Sequence, residues 1–247
     1  MKQIEAATLL VAARTNGVAI DWTGMVPATR DDAYAIQDAT VLALGPVAGW
    51  KVGARSEAAE PICAPLPASG LLASGARLLG PTWALRGIEV EVALRVGRDL
   101  DIGQDVLTPA ELVSAFDAAM PAIEVVETRL DRWKESPALA QLADLQSHGA
   151  LVLGAPSRLE VSMVDLLEVE AQLRMGAAPV TSTKGGNPGR DIWRLLGWLA
   201  CHCARRGRPL RAGQVVTTGS CTGMAFANQG DEVQGSITGL GQVHLGF

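Results

Sequence analysis

The sequence is poor in cysteine and has no excess of basic charge. Four cysteines in 247 residues are too few for a disulfide framework, and they favour a reduced, cytoplasmic compartment. Lysine and arginine number 21 against 26 aspartates and glutamates, which gives a net charge of −5, so no nucleic-acid partner is expected. Gly-x-Gly-x-x-Gly and P-loop patterns are absent, which argues against a nucleotide ligand.

Long apolar runs are also missing. The apolar opening at 6–13 is too short to span a bilayer, and the longest uncharged stretch, 61–76, contains three prolines. We therefore expect neither a membrane span nor a cleaved signal. A hydrophobic content of 48% with 19% charged residues is instead typical of a globular chain that buries a core.

The spacing of apolar residues and of capping residues predicts both helices and strands. Predicted helices cover 2–15, 29–43, 108–119 and a segment from the cap at Asn187 to Gly207. Predicted strands cover 88–96, 122–127, 214–218, 232–237 and 242–247, with a hairpin over 167–181.

This mixture predicts an α+β fold whose body is dominated by antiparallel sheet. A Pro- and Gly-rich connection over 61–81 suggests a border near residue 80. The border would separate a small helical N-terminal portion, 1–80, from the main body, 81–247.

Two glutamates on the predicted strand 88–96 form a candidate metal pair. Glu89 and Glu91 project from the same face with Cα atoms roughly 6.6 Å apart, so both can ligate one ion. The spacing does not decide the matter, because an alternating strand with one solvated face carries such pairs by default.

A third carboxylate stands in the short apolar strand 122–127. An unpaired charge at Glu124 would be costly to bury, and a bound cation would compensate it. Glu127 is the rival candidate, but it falls on the opposite face of the strand, so we expect it at the surface.

A lysine between two glycines is the candidate proton carrier. The segment 49–53 reads GWKVG, and a metal near Lys51 would disfavour the ammonium form and suit proton transfer. A lysine at a strand end that reaches outward to solvent explains the pattern equally well.

A glycine- and hydroxyl-rich turn is a candidate anion site. The segment 213–224, GQVVTTGSCTGM, predicts a strand that leads into a turn where Ser220, Thr222 and free backbone N–H groups could hold an anion. An ordinary turn has the same composition. Cys201-His202-Cys203 is not read as a zinc site, because adjacent helix positions point in different directions; both cysteines are predicted to be buried thiols.

Six segments stand in a particular order along the chain. They are GWKVG at 49–53, IEVEVAL at 88–94, PAIEVVETR at 121–129, LADLQSHG at 142–149, GGNPGRDIWRLLGWLA at 185–200 and GQVVTTGSCTGM at 213–224. In order and spacing they resemble the 2-keto-4-pentenoate hydratase and 4-oxalocrotonate decarboxylase family of the fumarylacetoacetate hydrolase superfamily. The resemblance spans nearly the whole chain and implies the mixed, largely antiparallel sheet of that superfamily.

The resemblance implies a metal centre and a set of site residues. A divalent metal, Mg²⁺ or Mn²⁺, would be held by Glu89, Glu91 and Glu124, which agrees with the oxygen ligands that such ions prefer. Lys51 and Asp144 would be catalytic. The implied substrate-binding residues are Ser147, Ser220 and Thr222.

The implied activity is hydration of a 2-hydroxy-2,4-dienoate, such as 2-hydroxypenta-2,4-dienoate, to a 4-hydroxy-2-oxo acid in aromatic catabolism, by a homo-oligomer. Three departures from the family pattern keep other activities open. Ala68 replaces an aspartate, Leu145 replaces an asparagine and His148 replaces a small residue. The alternatives are decarboxylation of a 2-oxo-diacid, C–C hydrolysis of an acylpyruvate, and an inactive relative that only binds a 2-oxo acid.

Overall fold

The computed structural model describes residues 3–102 and 107–247. Its helices are α1 (Gln3–Asn16), α2 (Arg30–Leu44), α3 (Pro109–Val113), α4 (Ala138–Ala143) and α5 (Ile192–Arg205). Its strands are β1 (Val47–Gly53), β2 (Ile62–Pro67), β3 (Leu71–Ala73), β4 (Ala76–Arg77), β5 (Gly87–Val96), β6 (Phe116–Val126), β7 (His148–Leu153), β8 (Glu170–Met175), β9 (Ala178–Lys184), β10 (Val215–Ser220), β11 (Ala225–Phe226), β12 (Glu232–Ile237) and β13 (Gly241–Gly246).

Two sheets make up the body. The larger has the order β2-β1-β10-β5-β6-β7-β3, with β11 added beside β5, and the smaller has the order β4-β13-β12-β8-β9. The pairs β1–β10, β3–β7 and β4–β13 are parallel and the other pairs are antiparallel. The α+β class with largely antiparallel sheet is confirmed, and so is the hairpin, which is β8–β9.

The larger sheet buries both of its faces. On β5, Ile88, Val90 and Val92 pack into the core shared with the smaller sheet. The sheet curls toward its opposite face. The two ends of the strand order, β2 and β3, must come close together because a single short 3-10 turn, Ala68–Gly70, joins them. This concave face holds a second core that combines three alanines with four larger apolar residues: Leu66, Ala93, Ala118, Met120, Ala122, Leu151 and Val215. Successive residues of β5 therefore point alternately into the core shared with the smaller sheet and into the second core on the concave face.

Two segments differ from the sequence-based expectation because prolines lie within strands. The connection predicted over 61–81 contains β2, β3 and β4. Pro65 and Pro67 are accommodated on β2, since this strand ends the sheet path and pairs with β1 on one side. The helix predicted over 108–119 stops at Val113, and β6 runs through Pro121, which lies beyond the last residue paired on β7.

The N-terminal helices are close to their predicted limits. The side chains of Thr29 and Asp32 form a reciprocal capping box at the start of α2. After these helices β1–β4 follow before residue 80, and the domain border near that position stays a prediction. None of the described helices is long and apolar enough to cross a membrane.

The close approach of β1 to β10 generates a first prediction. A Cβ at Gly49 would lie 2.2 Å from the carbonyl oxygen of Val215, whereas a Cβ at Gly53 would meet only the Cα of Gly219, at 3.9 Å. Gly49→Ala should therefore lower the free energy of unfolding by about 1–3 kcal/mol or more, because backbone must move. Gly53→Ala should change it by less than about 0.5 kcal/mol. Urea unfolding followed by tryptophan fluorescence measures both, and equal losses would contradict this account.

Candidate active site and metal centre

Three glutamates converge on the concave face of the larger sheet. Glu89 on β5 is the register partner of Glu124 on β6, and Glu91 follows two residues later on the same face of β5. One carboxylate oxygen from each of the three glutamates lies within 4.8 Å of the other two. Glu91 is 2% exposed, Glu124 is 1% exposed and Glu89 is half-buried. The structure thus brings all three predicted ligands together and buries two of them.

Lys51 points into the same cluster. It lies on β1 beside Thr217 of β10, and it is 8% exposed, so it does not reach outward to solvent. Its Nζ donates to Oε1 of Glu124 at 2.5 Å and to the carbonyl oxygen of Gln146 at 3.1 Å. The lysine therefore supplies the cationic partner of one glutamate.

Within residues 3–102 and 107–247, neither Glu89 nor Glu91 forms an ion pair. Burial raises the pKa of Glu89 to about 7 and that of Glu91 to about 8, and the charge of Glu124 adds to both increases. Burial acts on Glu124 as well, but Lys51 and a hydrogen bond from His148 outweigh it and lower the pKa of Glu124. One lysine thus faces three carboxylates, and the cluster has an excess of negative charge.

His148 orients Glu124 from the opposite side. Its Nδ1 lies 3.3 Å from the same Oε1 that Lys51 contacts. Burial lowers the pKa of His148 to about 4, so the ring is neutral at pH 7 and the nitrogen that faces the carboxylate carries the proton. With Oε1 held twice, Oε2 of Glu124 is buried and has no hydrogen-bond partner among the described residues.

These observations fit a divalent cation. Oε2 of Glu124 is a buried acceptor free for a ligand, and a cation would satisfy it and offset the excess charge. Glu91 is fixed through its Oε2, which accepts from the Thr217 hydroxyl and from the Gly219 N–H at 2.9 Å. All candidate ligands are carboxylate oxygens, the donor type that Mg²⁺, Mn²⁺ and Ca²⁺ prefer.

A left-handed turn lies next to Lys51. Leu145, Gln146 and Ser147 have φ values of 47°, 55° and 56°, a region that non-glycine residues rarely enter. The turn directs the carbonyl oxygen of Gln146 at Lys51. It also places the Ser147 hydroxyl 3.0 Å from the indole nitrogen of Trp133, which donates to it. Among the described residues, the hydroxyl of Ser147, which is predicted as a substrate ligand, has Trp133 as its one hydrogen-bond partner.

Asp144 holds this turn through Arg129. Its Oδ1 accepts from the Nε of Arg129 at 2.5 Å and its Oδ2 from the backbone N–H of Arg129 at 3.0 Å. The same guanidinium donates to the carbonyl oxygens of Asp144 and His148, on either side of the turn. None of the Asp144 hydrogen bonds in the described chain involves Lys51 or the three glutamates.

Ser220 and Thr222, the two hydroxyl residues predicted to bind an anion in the segment 213–224, differ in position. Ser220 lies beside Glu89, and its hydrogen bond opposes the rise in the pKa of that glutamate. Thr222 accepts from the backbone N–H of Val90 at 3.1 Å and donates to the carbonyl oxygen of Gly223 at 3.0 Å. Ser220 therefore belongs to the carboxylate cluster, whereas Thr222 anchors the turn to β5.

Two sequence-based expectations in this region are wrong. Glu127 is 5% exposed and is not a surface residue, because its carboxylate accepts from the backbone N–H groups of Leu85 and Thr128. Asn187 does not cap α5, since its amide donates to the carbonyl oxygens of Thr218 and Gly219. Asp191 caps that helix instead.

Thr217 and Arg129 were not identified from the sequence as site residues. Thr217 sits in the strand preceding the predicted turn, where only the register between β10 and β5 reveals its contact with Glu91. Arg129 follows the predicted strand as an ordinary charged residue, and no spacing signal links it to Asp144.

Residues 43–245 match the family model described as "Fumarylacetoacetate (FAA) hydrolase C-terminal". The chain belongs to the fumarylacetoacetate hydrolase family. Relatives within the family extend the match to nearly the whole chain. It is 34% identical to 2-keto-4-pentenoate hydratase 1 of Dechloromonas aromatica (strain RCB), across 98% of this chain and 95% of the relative. It is also 34% identical to the TodF product hydratase of Pseudomonas putida F1, across 98% of this chain and 94% of the relative.

A solved structure of similar fold is 4-oxalocrotonate decarboxylase from Pseudomonas putida G7, complexed with magnesium and adipate. Its TM-score is 0.86 with 22% identity, and the match covers 99% of this chain and 97% of the other. A second structure of that enzyme contains calcium and acetate, with a TM-score of 0.85. At this identity the likeness establishes the shared fold.

The raised pKa values predict pH-dependent cation binding. Glu89 and Glu91 titrate near pH 7 and pH 8, and a protonated carboxyl must lose its proton to ligate a metal. Mn²⁺ affinity should therefore fall as the pH is lowered from about 8.5 to about 6, by up to about tenfold per pH unit for each proton displaced. Isothermal titration calorimetry in buffers of different ionisation enthalpy measures the affinity and the proton release. A pH-independent affinity would contradict the site.

A matched pair of variants tests the ligand set. Glu91→Gln removes one of the three carboxylate charges and should weaken Mn²⁺ binding by roughly 100-fold or more. Glu127→Gln alters an equally buried carboxylate that lies outside the cluster, and it should leave the affinity within about threefold of the wild-type value. Manganese electron paramagnetic resonance reports the free ion in both titrations, and equal losses would remove Glu91 from the ligand set.

Proposed function

We propose that the protein is a metal-dependent hydratase that converts a 2-hydroxy-2,4-dienoate of the 2-hydroxypenta-2,4-dienoate type into a 4-hydroxy-2-oxo acid, a step of aromatic catabolism. The observation that carries the proposal is the contact of buried Lys51 with Glu124 inside the cluster of three carboxylates. Similarity to curated hydratases over 98% of the chain supports it, and it favours hydration over the decarboxylation and C–C hydrolysis considered from the sequence.

The cation in this proposal is Mg²⁺ or Mn²⁺, held by Glu89, Glu91 and Glu124. When bound, it supplies positive charge for the carboxylate and C2 oxygen of a 2-oxo or 2-hydroxydienoate acid. The residues present suit this ion because they offer only oxygen ligands and include one buried carboxylate oxygen without a partner among the described residues.

Lys51 is the proposed proton carrier. Hydration requires ketonisation, in which the proton of the 2-hydroxyl is lost and C5 is protonated, followed by addition of water at C4 and protonation at C3. The Nζ of Lys51 is held by Glu124 and by the carbonyl oxygen of Gln146, so a proton donor stands at a defined position beside the cluster. Its burial keeps bulk water from competing for that proton.

The remaining site residues have supporting roles in this proposal. Ser220 lies beside Glu89. Ser147 follows Gln146, whose carbonyl oxygen accepts a hydrogen bond from Lys51. Both serines are therefore assigned to the substrate pocket. Thr222 fixes the turn that carries Ser220. Asp144, predicted as catalytic, is assigned a positioning role because its carboxylate is fully engaged with Arg129 and Thr128.

Lys51→Met tests the proton carrier. Turnover of 2-hydroxypenta-2,4-dienoate should fall by roughly 10²–10⁴-fold, the usual contribution of general acid–base catalysis. Mn²⁺ affinity should be retained or increase, since the variant loses a positive charge that competes for Glu124. Lys184→Met, at an exposed lysine paired with Glu168, is the control and should keep full activity. Full activity of a folded, Mn²⁺-loaded Lys51→Met protein would exclude the lysine.

We also propose that the protein is a homo-oligomer. Several large apolar side chains are strongly exposed in the single chain, among them Leu42 at 82%, Ile4 at 74%, Leu79 at 73% and Met163 at 68%. Covering such side chains in a symmetric interface would remove them from water. Light scattering at micromolar concentration should give a multiple of 25.8 kDa, and a mass near 25.8 kDa would reject the oligomer.

A further inference from the structure

The face of the larger sheet that carries the carboxylates continues past Glu89 to Gly87. These two positions of β5 share a face, with Cα atoms roughly 6.6 Å apart. Gly87 pairs with Val126 of β6 on one side and with Phe226 of β11 on the other, and directly paired residues point to the same face. A Cβ at Gly87 would lie 3.0 Å from the Cβ of Val126 and 3.1 Å from the Sδ of Met224. Apolar side chains therefore surround the position next to Glu89.

Burial decreases along this face from Ala93 toward Phe226. Ala93 is fully buried in the second core, and Glu91 is 2% exposed. Glu89 is half-buried, whereas Met224 is 37% exposed and Phe226 is 45% exposed. A ligand chelated at the carboxylates is thus blocked by packed side chains toward Ala93. Its far end has room in the direction of Met224 and Phe226.

Trp133 connects this apolar end of the face to the residues beside Lys51. Its ring packs edge-on against Phe226, with ring centroids 6.5 Å apart and an interplanar angle of 75°. Its indole nitrogen donates to the hydroxyl of Ser147 at 3.0 Å. Ser147 follows Gln146, whose carbonyl oxygen accepts from Lys51. One side chain therefore contacts both the exposed aromatic ring and the turn at the proton carrier.

We propose that Trp133, Met224 and Phe226 form an apolar rim that binds an uncharged hydrocarbon tail of the substrate. The enzyme then prefers 2-hydroxy-2,4-dienoates with an alkyl group at C5 to those that end in a second carboxylate. This inference rests on the proposed function, which places the carboxylate and C2 oxygen of the substrate at the cluster. A hydrocarbon tail that covers the rim removes apolar surface from water on both sides of the contact.

A second carboxylate at this position would be poorly compensated. It would lose hydration against the three apolar side chains of the rim. Lys134 lies nearby, with its Nζ 5.8 Å from the centre of the Phe226 ring. Its side chain is exposed, however, and exposed ion pairs contribute little binding free energy. The rim therefore selects against a charged tail.

Calorimetric titration of the Mn²⁺-loaded protein with 2-oxo acids tests the rim without turnover. The acids 2-oxobutanoate, 2-oxopentanoate and 2-oxohexanoate differ by one CH₂ each, and affinity should rise roughly twofold to fourfold per CH₂. The diacid 2-oxohexanedioate has the carbon chain of 2-oxohexanoate with a second carboxylate at its end. It should bind at least about tenfold more weakly than 2-oxohexanoate.

Variants separate the rim from a general effect on the site. Phe226→Ala should remove most of the gain between 2-oxobutanoate and 2-oxohexanoate and leave the affinity for 2-oxobutanoate within about twofold, because the shortest acid ends before the rim. Phe226→Leu keeps an apolar side chain and should retain much of the gain. Leu167→Ala, at a comparably exposed leucine outside the rim, is the control and should retain all of it.

The outcomes distinguish this inference from the proposed function. Equal affinities for the three monocarboxylates would overturn the rim and leave the proposed function intact. So would tighter binding of 2-oxohexanedioate that Lys134→Met abolishes, because the tail would then be recognised by its charge. Failure of 2-oxobutanoate itself to bind would overturn the proposed function and the role of the rim with it.

Discussion

The register between β5 and β6 is the constraint on which the site depends. It sets Glu89 opposite Glu124 and leaves Glu91 on the same buried face, so like charges are forced together in a region of low dielectric constant. Lys51, His148 and Thr217 each relieve part of this repulsion by a direct contact with a carboxylate. What remains is a deficit of positive charge, which the proposed cation would offset.

A second constraint is the strained turn beside Lys51. Three successive left-handed residues, Leu145 to Ser147, cost about 1–2 kcal/mol each in isolation, so the surrounding structure must hold them. The buried Asp144–Arg129 pair does so from one side, and Arg129 also reaches the carbonyl of His148 on the other. Burying both charges carries a desolvation cost, and the additional hydrogen bonds from Arg129 to the carbonyl oxygens of Asp144 and His148 offset part of it.

The curled sheet explains how polar chemistry and a packed core coexist. Its convex face carries branched apolar residues against the smaller sheet, while its concave face carries the second core, which includes Ala93 and Ala122. Glu89 and Glu91 lie on the same face of β5 as Ala93. Close packing beside them limits water, which strengthens each electrostatic contact in the cluster.

Local patterns in the sequence determined much of the fold: the alternation on β5, the Thr29 capping box and the hairpin β8–β9 depend on residues near one another in the chain. The same alternation placed Glu89 and Glu91 on one face. Only the tertiary structure decided that this face is buried and that Lys51 and Thr217 reach it, because strand pairing places β1 beside β10, β10 beside β5 and β5 beside β6. These pairings connect residues far apart in the chain, and periodicity carries no information about them.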